Sequence, residues 1–264
     1  KSGYKAAYFG GSAITNTLLG MPDAGYLTLT EMEFIVSRAA DRSPIPLMVD
    51  ADTGYGDAVS VVNTVRTLER AGAAAVMIED QVTPPRCGHV AGGAVISIEE
   101  MIGKIKAAVD SRKDEDLFIL ARSDARRLEG IDAAIERGNR FAEAGADGFM
   151  ADGLLSVGEL TRMGDEVKGA IRFTNIGGSR KKRTTPKLPL HELRDMGYAV
   201  ALLGLQTLRA GSVQALRVLN QLRTSAASDS SESPFHPPNS SVADLGLFVG
   251  KDLFRELERE YVRK

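Results

Sequence analysis

Four stretches of the chain repeat one pattern: a glycine, a short apolar run, then polar or glycine residues. They occupy residues 3–10, 72–80, 145–152 and 197–204. A helix closed by glycine, a short connection, a buried strand and a loop at the strand's far end give this order. Three further apolar runs, residues 46–50, 117–122 and 171–175, end on polar side chains: Asp50, Arg122 and Asn175. Between the runs lie stretches with apolar positions at helical spacing, clearest over residues 58–70, 98–111 and 131–144. The pattern predicts repeated βα units.

Such units build open doubly wound sheets and closed barrels alike. A dinucleotide-binding sheet needs a G-x-G-x-x-G turn opening a helix, and no such turn occurs here. Polar groups fall instead at the ends of many different runs, as in a barrel whose functional groups converge from several strand ends. The expected fold class is α/β, a TIM-type (β/α)8 barrel. Candidate strands end near Gly10, Asp50, Asp80, Arg122, Asp152, Asn175 and Gly204, one short of the barrel's usual count. The first strand is expected either to precede Lys1 or to be absent from the barrel.

Past Arg223 the composition turns to Ser, Pro and Asn, which marks an exposed linker. The expected organisation is a barrel over residues 1–223, a linker over 224–241 and a C-terminal helix over 242–264. Leu245, Phe248, Leu253, Phe254 and Leu257 give that helix an apolar face for its own barrel or a neighbouring subunit.

With 43% hydrophobic residues, a chain of 264 residues buries a full core. No apolar run reaches the length of a membrane span, and a net charge of -2 gives no basic field for nucleic acid. A single Cys makes no internal disulfide, so a reducing compartment, the cytoplasm, is expected, or an organelle if a leading segment is missing.

Candidate chemistry lies at the strand ends. Asp50-Ala51-Asp52-Thr53-Gly54-Tyr55-Gly56-Asp57 sets two carboxylates two positions apart, which suits a hard cation such as Mg²⁺, or a helix cap. An EF-hand does not fit, because its glycine would fall on Tyr55 and its closing glutamate on Val61. Glu79 and Asp80 add negative charge that calls for a cation. Arg122 offers a guanidinium for a substrate carboxylate, or for an ion pair with Glu79 or Asp152. Asn175, Gly177 and Gly178 offer an amide and open backbone donors, and the run from Arg180 to Arg183 reads as an anion-attracting or merely solvated loop. The only thiol, Cys87, sits in Arg86-Cys87-Gly88-His89. Arg86 favours its thiolate and His89 relays or holds a proton, a setting for acid–base work. A buried free cysteine is the alternative.

These motifs, with Leu19-Gly20-Met21-Pro22-Asp23 and Ala121-Arg122-Ser123-Asp124-Ala125, resemble the isocitrate lyase/phosphoenolpyruvate mutase superfamily. The likeness is to its methylisocitrate lyase, dimethylmalate lyase and oxaloacetate hydrolase branches, and it runs from Gly3 to about Arg223. It implies a Mg²⁺-dependent barrel, with Mn²⁺ as a substitute, acting on small 2-oxo or 2-hydroxy dicarboxylates. It further implies a homo-oligomer, usually a tetramer with a swapped C-terminal helix, and no nucleic-acid or membrane partner. By the resemblance, Asp23, Asp50, Asp52 and Glu79 surround the metal, largely through waters. Gly10, Gly11 and Ser12 cradle a substrate carboxylate, and Arg122, Asp50, Asp152 and Asn175 complete the substrate site. Mg²⁺ stabilises the enolate left when a carbon–carbon bond breaks, and Cys87, with Arg86 and His89, protonates the departing carbanion.

Three positions depart from that pattern. Pro85 stands where the family lyases carry a lysine, Asp152 where they carry a glutamate, and Gly10 where they often carry a serine. Two readings follow: an active carbon–carbon lyase or hydrolase, or a catalytically impaired relative serving as an assembly or ligand-binding module. Phosphoryl migration in a phosphonate is a third, opposed by the Cys-Gly-His loop.

Overall fold

The computed structural model describes residues 3–85, 93–176, 185–226 and 255–262. Seven parallel strands lie side by side in chain order: β1 (Ala7–Phe9), β2 (Leu47–Asp50), β3 (Ala75–Glu79), β4 (Phe118–Ser123), β5 (Gly148–Ala151), β6 (Ile171–Asn175) and β7 (Tyr198–Leu202). They are the seven that the glycine-and-apolar pattern predicts. Among the described residues β1 and β7 each pair on one side only, and no eighth strand occurs.

The helices between them are α1 (Gly11–Ile14), α2 (Leu29–Ala40), α3 (Ala58–Arg70), α4 (Ile98–Ser111), α5 (Ala125–Glu129), α6 (Ile131–Glu143), α7 (Val157–Glu166) and α8 (Leu190–Asp195). Their ends follow from local chemistry. Asp57 Oδ1 accepts the Ser60 N–H at 2.9 Å to open α3, and Ser97 Oγ accepts the Glu100 N–H at 3.1 Å to open α4. Val61, Val65 and Leu68 recur on the buried face of α3, as Met101, Ile105 and Ala108 do on α4.

Two apolar clusters use the two faces of the sheet. One packs outward-facing Val49, Val76, Ile78, Ile119 and Phe149 against the helices. The other is Met48, Met77, Leu120, Met150, Phe173 and Leu202, one from each of six strands, with Tyr8 against it. These side chains share the face opposite the helices, which in a (β/α) barrel is the interior.

Residues 207–264 form a separate unit. Its helix α9 (Gln206–Ala226) continues past the boundary expected at Arg223, so residues 224–226 are helix rather than linker. Residues 255–262 are helical, with Leu257 and Tyr261 exposed; Leu245, Phe248, Leu253 and Phe254 lie outside the described residues. No described helix is long and apolar enough to cross a membrane.

Candidate active site at the carboxyl ends of the strands

Strand geometry brings distant polar residues to one rim. Side chains two apart share a face, so two positions beyond the interior apolar residues come Asp50, Glu79, Arg122, Asp152, Asn175 and Gly204, with Gly10 after Tyr8. The apolar layer is the floor. The polar layer lies at the carboxyl ends, where barrel enzymes place their chemistry.

Asp50 is held on both oxygens. Its Oδ2 accepts the Tyr8 hydroxyl at 2.9 Å and the Gly11 N–H at 3.1 Å, and its Oδ1 accepts the Asp52 N–H at 3.2 Å. Asp52 itself leaves the strand in a left-handed conformation, φ 46°, which Asp tolerates better than most residues. A Cβ built on Gly11 would lie 2.9 Å from Asp52 Oδ1 and 3.7 Å from Asp50 Oδ2. Glycine there leaves room for two carboxylates to approach one another. Of the three amides expected to cradle a substrate carboxylate, at Gly10, Gly11 and Ser12, that of Gly11 is therefore already engaged by Asp50.

Arg122 gathers the other carboxylates. Its Nε donates to Asp124 Oδ2 at 3.0 Å and its Nη2 to Asp124 Oδ1 at 3.3 Å. Nη1 lies 3.2 Å from Glu79 Oε2, and Nη2 3.5 Å from Asp152 Oδ2. The mouth ion pair weighed from the sequence is thus formed with both Glu79 and Asp152. Burial alone would lower the Arg122 pKa, but Asp124, Glu79 and Asp152 outweigh it and hold the guanidinium charged.

The carboxylates outnumber this one cation. Burial, then the charges of Asp50 and Asp23, push Asp52 well above the usual carboxylate range. Burial also raises Glu79, where Arg122 pulls down while Asp124, Asp50 and Asp52 push up. Asp80 belongs to the scaffold instead: it accepts Ser123 Oγ–H at 2.6 Å, the Asp124 N–H at 2.9 Å and Arg137 Nη1 at 3.2 Å. Those bonds tie β3, β4 and α6 together, and burial still pushes Asp80 up to about 6.

Arg86, Cys87 and His89 lie outside the described residues, as do Gly177, Gly178 and the run from Arg180 to Arg183. The stem below Cys87 is described: Val82 N–H bonds Ala94 O at 2.9 Å, and Ile96 N–H bonds Asp80 O at 2.8 Å. A Cβ on Gly25 would lie 3.0 Å from Pro85 Cδ and 3.1 Å from Pro84 Cβ, so the turn that follows Asp23 packs on this stem. Asn175 reaches the rim, its Oδ1 3.7 Å from a Cβ built on Gly204. Sequence reasoning missed Tyr8 and Asp124. Tyr8 carried a signal, an interior-facing position two before Gly10, and Asp124 sat inside the Arg122-Ser123-Asp124 motif.

A family model described as phosphoenolpyruvate phosphomutase matches residues 1–223. The chain belongs to the phosphoenolpyruvate phosphomutase family. It is 36% identical over 259 residues to 2,3-dimethylmalate lyase of Eubacterium barkeri, covering 98% of this chain and 87% of that one. It is 41% identical over 224 residues to 2-methylisocitrate lyase of Aeropyrum pernix, covering 84% and 70%. A solved oxaloacetate acetylhydrolase, bound to the inhibitor 3,3-difluorooxalacetate, superposes with a TM-score of 0.88 at 27% identity, covering 99% and 86%. The superfamily, the barrel class and the kinship with lyases and hydrolases of small dicarboxylates agree with the sequence-based expectation.

The rim of this family member fits the divalent cation that the superfamily resemblance implies. Its donors are all carboxylate oxygens, two of them converge on the notch at Gly11, and Asp52 and Glu79 are crowded by like charge. Among the described residues no three His, Cys, Asp or Glu side chains lie close enough to hold an ion by themselves. One or two carboxylates with waters filling the remaining positions is the coordination Mg²⁺ prefers.

A pH dependence follows. Asp52, Glu79 and Asp80 have folded pKa values above their unfolded ones, so without metal the native state binds more protons and loses stability as pH rises through that window. Asp57, Glu159 and Glu166 are lowered and work oppositely, so the informative quantity is the difference that Mg²⁺ makes. The rise in Tm on adding Mg²⁺ is expected to grow as pH rises above the usual carboxylate range, where protons stop competing for Asp52 and Glu79. Melting curves with and without Mg²⁺ across that rise in pH check it; a Mg²⁺ effect independent of pH would contradict it.

Proposed function

We propose that the chain is a Mg²⁺-dependent carbon–carbon lyase or hydrolase acting on a small 2-hydroxy or 2-oxo dicarboxylate of the alkylmalate, methylisocitrate or oxaloacetate type. The observation that carries this is the convergence of Asp50, Asp52 and Glu79 with Arg122 on one rim. The named relatives support it: a dimethylmalate lyase, methylisocitrate lyases and an oxaloacetate acetylhydrolase. All are enzymes, and none favours the impaired-module reading.

In this mechanism Asp50, Asp52, Glu79 and Asp23 would surround the cation, largely through waters. When bound it supplies Lewis-acid polarisation of a substrate oxygen. Tyr8 and the Gly11 amide keep the Asp50 carboxylate fixed, so the rim need not reorganise as charge develops. Arg122 carries two hydrogens on Nη1, and the one not turned to Glu79 meets a substrate carboxylate. Asn175, Asp152 and the backbone around Gly10 and Ser12 complete the wall. The substrate hydroxyl gives its proton to a rim carboxylate and its oxygen closes a C=O as the carbon–carbon bond breaks; the electron pair of that bond leaves with the departing carbon, and the Cys87 thiol proton goes to that carbon. With Pro85 in place of a lysine, Arg86 and His89 are the residues left to tune the thiol. We also read the chain as a homo-oligomer, supported by Leu216, Leu219 and Leu222 exposed along α9.

The test is incubation of the full chain and Mg²⁺ with oxaloacetate, 2,3-dimethylmalate and 2-methylisocitrate, monitoring oxo-acid and oxalate release. Turnover of at least one is expected, falling by roughly 10²-fold or more in Cys87→Ser. A folded, Mg²⁺-binding preparation inert toward all three would refute the reading.

A further inference from the structure

The turn carrying Asp52 is strained along most of its length. Asp52 (φ 46°), Gly54 (φ 89°), Tyr55 (φ 57°) and Gly56 (φ 151°) all have positive φ, and non-glycine residues hold such angles only where their surroundings impose them. Four successive carbonyls show what imposes them here. Ala51 O accepts the Gly54 N–H at 2.8 Å, and Asp52 O accepts the Glu79 N–H at 2.8 Å. Gly54 O accepts the Thr64 hydroxyl at 2.9 Å. Thr53 O accepts the Lys104 ammonium at 2.9 Å, across 51 residues of sequence.

Lys104 is out of place as a surface cation. It is 2% exposed and sits on the buried stripe of α4 beside Met101, Ile105 and Ala108. Among the described residues its only hydrogen bond is to Thr53 O, and no carboxylate lies within ion-pair distance. Burial lowers the Lys104 pKa and the more distant Glu100 and Asp57 charges only partly oppose it, so the ammonium is destabilising compared with a packed apolar side chain. Nor does its charge perturb Asp52, which responds to burial and to Asp50, Asp23 and Arg122. What it contributes is geometric.

We propose that Lys104 is a positioning residue, which clamps the Thr53 carbonyl from α4 and thereby holds the left-handed turn that aims the Asp52 carboxylate at the notch beside Gly11. The inference rests on the proposed Mg²⁺ site and extends it to a residue outside the rim. Substituting Lys104→Met removes the donor while keeping the apolar stem, and Lys104→Arg keeps a cationic donor.

The experiment is Mg²⁺ titration by calorimetry on the wild type and both variants, with metal-free melting curves. Lys104→Met is expected to bind Mg²⁺ roughly tenfold more weakly or worse, and Lys104→Arg to recover most of the affinity. The weakening should persist at temperatures where both proteins are fully folded. Mg²⁺ affinity equal to wild type in folded Lys104→Met overturns the assignment and leaves the proposed function standing. A wild type that binds no Mg²⁺ overturns the site itself, and this inference with it. Should Lys104→Met fail to fold, Lys104→Leu, which also lacks a donor, is read in its place, with the same weakening expected and wild-type affinity equally fatal.

Discussion

Arg122→Met is expected to lower stability by about 3–5 kcal/mol, the usual cost of removing one partner from a buried ionic cluster, and to abolish turnover. Glu79, Asp124 and Asp152 all lean on this guanidinium, at 3.2, 3.0 and 3.5 Å. Methionine fills a similar volume but leaves three buried carboxylates without the guanidinium they share. Burial already raises Glu79 and Asp124, so part of the loss should be recovered at acidic pH, where they take up protons. Urea denaturation of wild type and variant at two pH values measures both effects. An Arg122 that merely waits for substrate would give a variant as stable as wild type.

Asp50→Asn is expected to do the reverse to stability while still removing function. Asparagine keeps the shape and the acceptor oxygen for Tyr8 and Gly11 and gives up only the 3.2 Å bond from the Asp52 N–H, while it deletes one charge from a crowded rim. Asp50 raises both Asp52 and Glu79, so relief of that buried repulsion should outweigh the one lost bond and leave the metal-free variant at least as stable as wild type. Turnover should fall by roughly 10²–10³-fold, the range seen when one group preorganised for charge stabilisation is removed. Stability bought at the expense of activity is the signature of residues kept for chemistry. Melting temperature and turnover on the same preparation decide it; loss of both together would make Asp50 a structural residue.

The framework was legible in the sequence because its signals are local. The helices at Ala58–Arg70 and Ile98–Ser111 begin on capping side chains, Asp57 and Ser97, and carry regular apolar stripes. The strands end where apolar runs meet polar groups, so the place of Asp50, Glu79 and Arg122 at strand ends is readable from the sequence. What holds those residues was not legible. Tyr8 reaches Asp50 across 42 positions, Lys104 reaches Thr53 across 51, and Arg137 reaches Asp80 across 57. No local period encodes such pairings. Lys104 and Arg137 carried only the weak signal of a charge on an apolar helical stripe, which ordinarily means a long side chain turned toward water. Asp80 reads from sequence like its neighbour Glu79, yet successive residues face opposite ways from a strand end, and Asp80 bonds the scaffold.

The proposed function stands on Asp50, Asp52 and Glu79 lining one divalent-ion site, one or two of them in direct contact with the ion and the rest reaching it through water. Calorimetric titration of the full chain with Mg²⁺ tests this most directly, run beside Asp50→Asn under identical conditions. A saturable binding event of one ion per chain in the wild type, lost in Asp50→Asn, is the predicted result. Absence of binding at millimolar Mg²⁺ in a folded wild type, or binding that survives Asp50→Asn unchanged, would contradict it.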